Sequence, residues 1–156
     1  MKEHFVITVG REYGSGGRAI AKLVAQKLNV PFYDKELLTL AAQKSGICQE
    51  IFEHNDEKTT VSDMLPVTAG TGFGAGVGLG LQMPMNQRVF LAQFEVITNL
   101  AKEQSCVIVG RCADYVLRDM DHVTHIFLYA SLEKRVERIM RLEHVDADKA
   151  RELIRK

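Results

Sequence analysis

The opening of the chain limits its fold more than any other feature. A short apolar run, Phe5-Val-Ile-Thr-Val9, breaks directly into Gly10-Arg-Glu-Tyr-Gly-Ser-Gly-Gly-Arg18, and an amphipathic pattern follows with Ile20, Leu23, Val24 and Leu28 at helical spacing. An apolar run of this length reads as a buried strand, and spacings of three and four read as a helix. The first unit is therefore strand, glycine-rich turn (Gly10–Gly17) and helix. Closely spaced glycines let successive backbone N–H groups converge on an anion, and the helix N-terminus behind them adds partial positive charge. The turn stands where a phosphate-binding Walker A loop would stand, but it departs from GxxxxGK[ST]. Gly17 falls at the lysine position, Arg18 comes next, and no Ser or Thr follows. The other reading is a tight turn with incidental glycines.

The same alternation continues along the chain. Pro31 ends the first unit, Phe32-Tyr33 suggests a short second strand, and 35–45 is predicted helical with a stop at Gly46. A short helix is expected at 48–54. Residues 58–85 carry Gly70, Gly72, Gly74, Gly76, Gly78 and Gly80 among Thr, Ser and Pro, the composition of a mobile loop. The clearest helix is predicted at 86–103, with Val89, Phe90, Phe94, Ile97 and Leu100 on one side. Cys106-Val-Ile-Val109 reads as a strand covered on both faces, 112–118 as a short helix, and His125–Tyr129 as another buried strand. Helices are expected near 131–142 and 146–156, with Asp146 as N-cap of the second.

Strand-helix alternation predicts a three-layer α/β/α fold with a parallel sheet, in one domain of 1–156. In such sheets ligands bind beyond the carboxyl ends of the strands. That draws attention to Gly10-Arg11, Gly110-Arg111 and Ala130-Ser131. The formal net charge is zero, which gives no support to a nucleic-acid or membrane-surface role. No apolar stretch approaches the roughly 20 residues of a membrane span. Three cysteines without CxxC spacing fit a reducing, cytoplasmic setting. The five histidines show no metal-ligand spacing. The turn also lacks the GxGxxG of a dinucleotide site.

Candidate chemistry rests on arginines. Arg18 can supply the charge missing from the turn, and Arg11 can face phosphate. Arg111, at the end of a strand, can grip phosphate bidentately or pair with Asp114 or Asp119 on the surface. Asp34 either caps the following helix or contacts substrate. Arg135, Arg138 and Arg141 recur on one helix. They form part of a closing lid or a solvated face paired with Glu133, Glu137 and Glu143. Cys112 is a packed small residue or a reactive thiol.

The segments ITVGREYGSGGRAIAKLVAQKL, PFYDKELLTLAAQKSGI, MPMNQRVFLAQFEVI, VIVGRCADYVLRD and HIFLYASLEKRVERIMR, taken together, resemble the cytidylate kinase-like family of P-loop nucleoside monophosphate kinases. The resemblance implies ATP- and Mg2+-dependent phosphorylation of a nucleoside monophosphate, CMP or dCMP. It places Arg11, Gly14, Ser15, Gly16, Gly17 and Arg18 at the ATP, and Asp34, Arg111 and Asp114 on the acceptor side. Arg18, Arg111, Arg135 and Arg138 would carry catalysis. It also implies a lid beginning near 131–156 and a final strand and helix beyond Lys156. Two alternatives stay open: a kinase for another small acceptor, and a nucleotide-binding regulatory module with impaired catalysis.

Overall fold

The computed structural model describes residues 4–46 and 85–155. The helix expected at 48–54 and the Gly-rich stretch, except for Met85, lie outside these residues, as do Cys48 and His54. In chain order the elements are β1 (Val6–Arg11), α1 (Gly17–Leu28), β2 (Phe32–Tyr33), α2 (Glu36–Ser45), α3 (Met85–Glu103), β3 (Cys106–Val109), α4 (Ala113–Val116), β4 (Val123–Leu128), α5 (Leu132–Glu143) and α6 (Ala147–Arg155). They fall into two compact units, Lys35–Lys102 and the remainder.

The larger unit holds a parallel sheet in the order β2-β3-β1-β4. The parallel α/β expectation is met. Every residue of β3 is buried, as its unbroken apolar run requires. β1 pairs with β3 from Val6↔Cys106 to Val9↔Val109, and with β4 from Val6↔Val123 to Arg11↔Leu128.

β4 departs from its expectation. It is an edge strand, largely exposed, with Phe127 at 64% and Ile126 at 39%. An apolar run specifies a strand but not its place in the sheet, and this one lies beside β1 alone among the described residues. One consequence appears at Gly10. A methyl group there would sit 2.8 Å from the Phe127 ring, so glycine makes room for the aromatic of its cross-strand partner. Gly10 is thus a strand residue, and β1 runs on to Arg11 before the turn begins.

α1 is where the pattern predicts it, but it buries another stripe. Gly17, Ala21 and Ala25 are buried, whereas Ile20, Leu23 and Leu28 are 46–57% exposed. Small residues four apart let the helix lie close on the sheet. There Ala21 and Ala25 pack with Val9, Val107 and Val109, flanked by Ile7, Val24, Val30, Phe32 and Leu128. Hydrophobicity ranks the large residues first, but close helix-to-sheet approach selects the small ones. Ala21→Leu would overpack this contact at a cost of about 1–3 kcal/mol. The helix ends at Asn29, left-handed at φ 52, whose N–H reaches the last-turn carbonyls.

α5 and α6 share a small core of Val136, Ile139 and Ala150 with Val145, Ala147, Leu153 and Ile154. Ser131 caps α5 by accepting from the Lys134 amide at 3.5 Å. Asp146 caps the next helix, as expected, by accepting from Lys149 N at 2.8 Å.

In the second unit α2 closes at Gly46, left-handed at φ 67, and α3 buries Val89, Phe90, Val96 and Ile97. Phe90 and Phe94 meet edge to face with centroids 6.0 Å apart. No described helix is long and apolar enough to cross a membrane.

Candidate functional site

Arg11, Arg18, Arg135, Arg138, Arg141 and Lys134 gather at the carboxyl end of the sheet, around the turn that follows β1. The turn is a β-turn in which Ser15 N donates to Glu12 O at 3.1 Å. Gly14 occupies its third position at φ 83, the left-handed value that a type II turn requires there. Gly16 is left-handed as well, at φ 86, and is the N-cap of α1. Between residues 14 and 18 the amides divide into two sets. Ser15 N is taken by Glu12 O, and Gly17 N by Ser15 Oγ at 3.3 Å. Those of Gly14, Gly16 and Arg18 have no protein acceptor among the described residues. The turn is therefore partly satisfied internally and keeps alternate donors open.

α5 lies directly over these open donors. A methyl on Gly14 would come within 3.1 Å of Arg135 O and 3.2 Å of Ile139 Cγ1, and one on Gly16 within 3.0 Å of the Arg138 guanidinium carbon. Gly14 needs glycine for its dihedral and for clearance from the Arg135 backbone, and Gly16 for its dihedral. Between turn and helix lies a cleft of about 240 Å3, lined by Gly14, Ser15, Ala130, Lys134, Glu137, Arg138 and Arg141. Sites for drug-sized molecules run from about 300 Å3 upward, so this cleft suits a chain of phosphates better than a whole nucleotide. Lys134, Arg138 and Arg141 form no ion pair among the described residues. Three cations against the single carboxylate of Glu137 leave the cleft positive.

The three arginines of α5 do not act alike. Arg135 is 14% exposed in its side chain. Its Nε donates to Tyr13 O at 2.8 Å and its Nη1 pairs with Glu12 Oε2 at 3.1 Å. The pairing of these arginines with Glu133, Glu137 and Glu143, one of the two readings of the sequence, is not formed. Residues three apart on a helix drift by about 60° per step, whereas residues four and seven apart return to one stripe. The stripe that faces the turn is accordingly Lys134, Arg138 and Arg141. Lys134 and Glu12 went unnoticed in the sequence. The 134/138/141 spacing was the available signal for the first, and nothing local marks the second.

Arg11 leaves the end of β1 and crosses toward β3. A methyl on Gly17 would sit 2.6 Å from Arg11 Cβ, and one on Gly110 would run into Arg11 Nη1. The guanidinium therefore ends beside Gly110-Arg111, joining the ends of the two central strands. There the backbone holds three consecutive left-handed residues: Gly110 (φ 68), Arg111 (φ 58) and Cys112 (φ 50). Left-handed conformation costs a non-glycine residue about 1–2 kcal/mol, and such outliers concentrate at functional sites. Asp114 stands exposed in the first turn of α4.

Arg18 is placed differently from a loop lysine. Its Nε pairs with Asp34 Oδ2 at 2.6 Å, and Asp34 is buried at the end of β2. The two were expected on opposite sides of the site, and the fold ties them together. Arg18 keeps 60% of its side chain exposed.

Both described thiols have raised pKa values. Burial raises Cys106 to about 11. Burial foremost, and then the Asp114 charge, also raise Cys112 against an opposing effect of Arg111. Cys112 is half-buried, and its raised pKa favours the packed reading over the nucleophilic one.

A family model described as the cytidylate kinase-like family matches residues 6–156. The chain belongs to that family. Its membership points to a nucleotide kinase. Among solved structures, an uncharacterized protein from Eubacterium ventriosum is similar at 27% identity and a TM-score of 0.62, over 97% of this chain and 70% of that one. A Thermus thermophilus protein aligns at 17% identity and a TM-score of 0.47, over 96% of this chain and 78% of its own. No protein of curated function matches the chain.

Proposed function

We propose that this cytidylate kinase-like protein transfers the γ-phosphoryl group of ATP to a nucleoside monophosphate, CMP or dCMP. The observation that carries the reading is the cleft in which Gly14 and Ser15 of a strand-to-helix turn face Lys134, Arg138 and Arg141, three cations without an ion pair among the described residues. Phosphoryl transfer asks a protein mainly for alignment and charge neutralisation, and the positive charge of this cleft supports the second.

In this mechanism the amides of Gly14, Gly16 and Arg18 receive the phosphate chain. Arg138, with Lys134 and Arg141, neutralises it from above, in place of the lysine that the turn lacks. Arg111, joined by Arg11, holds the acceptor's phosphate at the end of β3. One acceptor phosphate oxygen attacks the γ-phosphorus in line. The bond from that phosphorus to the β–γ bridging oxygen breaks, and ADP leaves with the electron pair. Asp34 orients Arg18 at the start of α1, and Asp114 completes the acceptor side.

The described residues contain no group of three His, Cys, Asp or Glu side chains able to hold a metal. Ser15 Oγ already accepts from Gly17 N. These residues do not make a protein cage for Mg2+. The ion is expected to arrive with the triphosphate, which commonly supplies most of its ligands together with water.

A coupled ADP-release assay with ATP and CMP, dCMP, UMP or AMP tests the reading. Turnover highest with CMP or dCMP is expected. Turnover with a non-nucleotide acceptor alone would reassign the substrate. A second reading, a nucleotide-binding module with impaired catalysis, draws on the absence of a loop lysine and on the engagement of Arg18 with Asp34. ATP binding without turnover on any acceptor would favour it.

A further inference from the structure

One carboxylate oxygen joins three parts of the larger unit. Glu12 Oε2 accepts from Arg135 Nη1 at 3.1 Å, on α5, and from Ala130 N at 3.3 Å, just past the end of β4. The same guanidinium donates through Nε to Tyr13 O, and Glu12 N donates to Leu128 O at 3.0 Å. Arg135 thus holds the turn by a side chain and by a backbone carbonyl. Its own backbone packs on Gly14, and the guanidinium of Arg138, three residues on, covers Gly16.

The geometry points to Glu12 and Arg135 as a strut that sets the spacing between α5 and the phosphate turn, and so positions Arg138 over the open amides. The pair rests on the proposed polyphosphate site and deepens it. Arg135 is a positioning residue there, with its charge spent on Glu12, and the cations that face the ligand are those of the neighbouring stripe. The pair is partly shielded, with side-chain exposures of 14% for Arg135 and 34% for Glu12. One planar fork donates through Nη1 to Glu12 and through Nε to Tyr13 O, a geometry that lysine cannot reproduce. Neither residue needs to touch the ligand for the strut to matter.

A double-mutant cycle on the protein reads this coupling. The probe is inorganic tripolyphosphate, titrated by calorimetry. In the parent protein Arg138→Ala is expected to weaken binding by about 10- to 100-fold, the worth of a lost charge-assisted hydrogen bond. In a Glu12→Ala background the same change should weaken it by less than about threefold, because Arg138 is no longer held in place. Glu12→Gln, which keeps an acceptor for Ala130 N, should restore part of the coupling, and Arg135→Lys should not. Equal Arg138 effects in both backgrounds would overturn the strut.

Hydrogen exchange provides a reading that needs no ligand and uses Arg135→Lys should Glu12→Ala fail to fold. Loss of the strut should speed exchange of the 12–18 amides and of α5 together. Unchanged protection in α5 would discard the proposal. If tripolyphosphate does not bind the parent protein, the polyphosphate site is wrong, and the exchange result alone decides the strut.

Discussion

The two central strands end at neighbouring points of the same sheet edge, yet their turns present charge in different ways. After β1 the chain uses glycine at φ 83 and φ 86, leaves alternate amides open and starts a helix of 12 residues. After β3 it forces Arg111 and Cys112 into left-handed conformation and starts a helix of only four residues. There Ala113 N closes back on Gly110 O at 3.0 Å. The first turn offers backbone donors and borrows its positive charge from α5. The second carries an arginine, Arg111, in a strained left-handed backbone conformation. A phosphate chain with many oxygens suits the first arrangement, and a single phosphate suits the second. The division of labour proposed between ATP and acceptor rests on this difference between the turns.

The largest effect should come from filling the first turn. Gly14→Val meets the backbone of Arg135 and an unfavourable φ together. A loss of about 1–2 kcal/mol for the dihedral alone corresponds to a Tm drop of about 2–8 °C in a chain of this size. ATP affinity should fall at least about tenfold with it. A thermal melt and an ATP titration check both, and a fully stable variant that still binds ATP would break the comparison.

Next in size is Arg138→Ala. It should weaken ATP by about 10- to 100-fold with little change in Tm, since Arg138 makes no described ion pair. Equal loss of CMP binding would mean that the two turns do not divide the substrates.

Arg111 separates strain from chemistry. Arg111→Ala keeps the left-handed cost and Arg111→Gly relieves it, while both remove the guanidinium. Both should raise the KM for CMP by about tenfold or more, with that for ATP nearly unchanged. The glycine variant should melt higher than the alanine one by a few degrees, for a difference of about 1 kcal/mol. Identical melting temperatures would show that φ 58 carries no strain.

The smallest effect is expected at Cys112. Because burial and Asp114 raise its pKa, its thiolate is scarce at neutral pH. Alkylation should be slow at pH 7 and accelerate only above the ordinary thiol range. Rapid modification at pH 7 would show that Arg111 dominates its surroundings and that the second turn is more electropositive than described.

Much of the fold was legible because its signals are local. Runs such as Cys106–Val109, helical spacing in 86–103, the stop at Gly46 and the cap at Asp146 each depend on a few neighbouring residues, and each stands where the sequence puts it. The turn was legible too, through Gly14 and Gly16, whose dihedrals admit little else. What failed depended on distant partners. His125–Tyr129 was read as buried because its residues are apolar, yet its exposure is set by its place at the sheet edge. In α1 the large side chains marked the helical spacing correctly, but distance to the sheet selects Ala21 and Ala25 for burial. Arg135 was grouped with Arg138 by spacing alone, while Glu12, more than a hundred positions earlier, takes its charge.

The sequence by itself determined where strands and helices begin, that the sheet is parallel, and that a turn of glycines and arginines lies at its carboxyl end. These follow from periodicity and backbone freedom, which act over a few residues. Only the tertiary structure decided which cations face that turn, that Arg18 answers to Asp34, and that Arg11 reaches Gly110. Charges separated along the chain interact through a few ångströms of space, and those distances exist only once the sheet has brought its strand ends together.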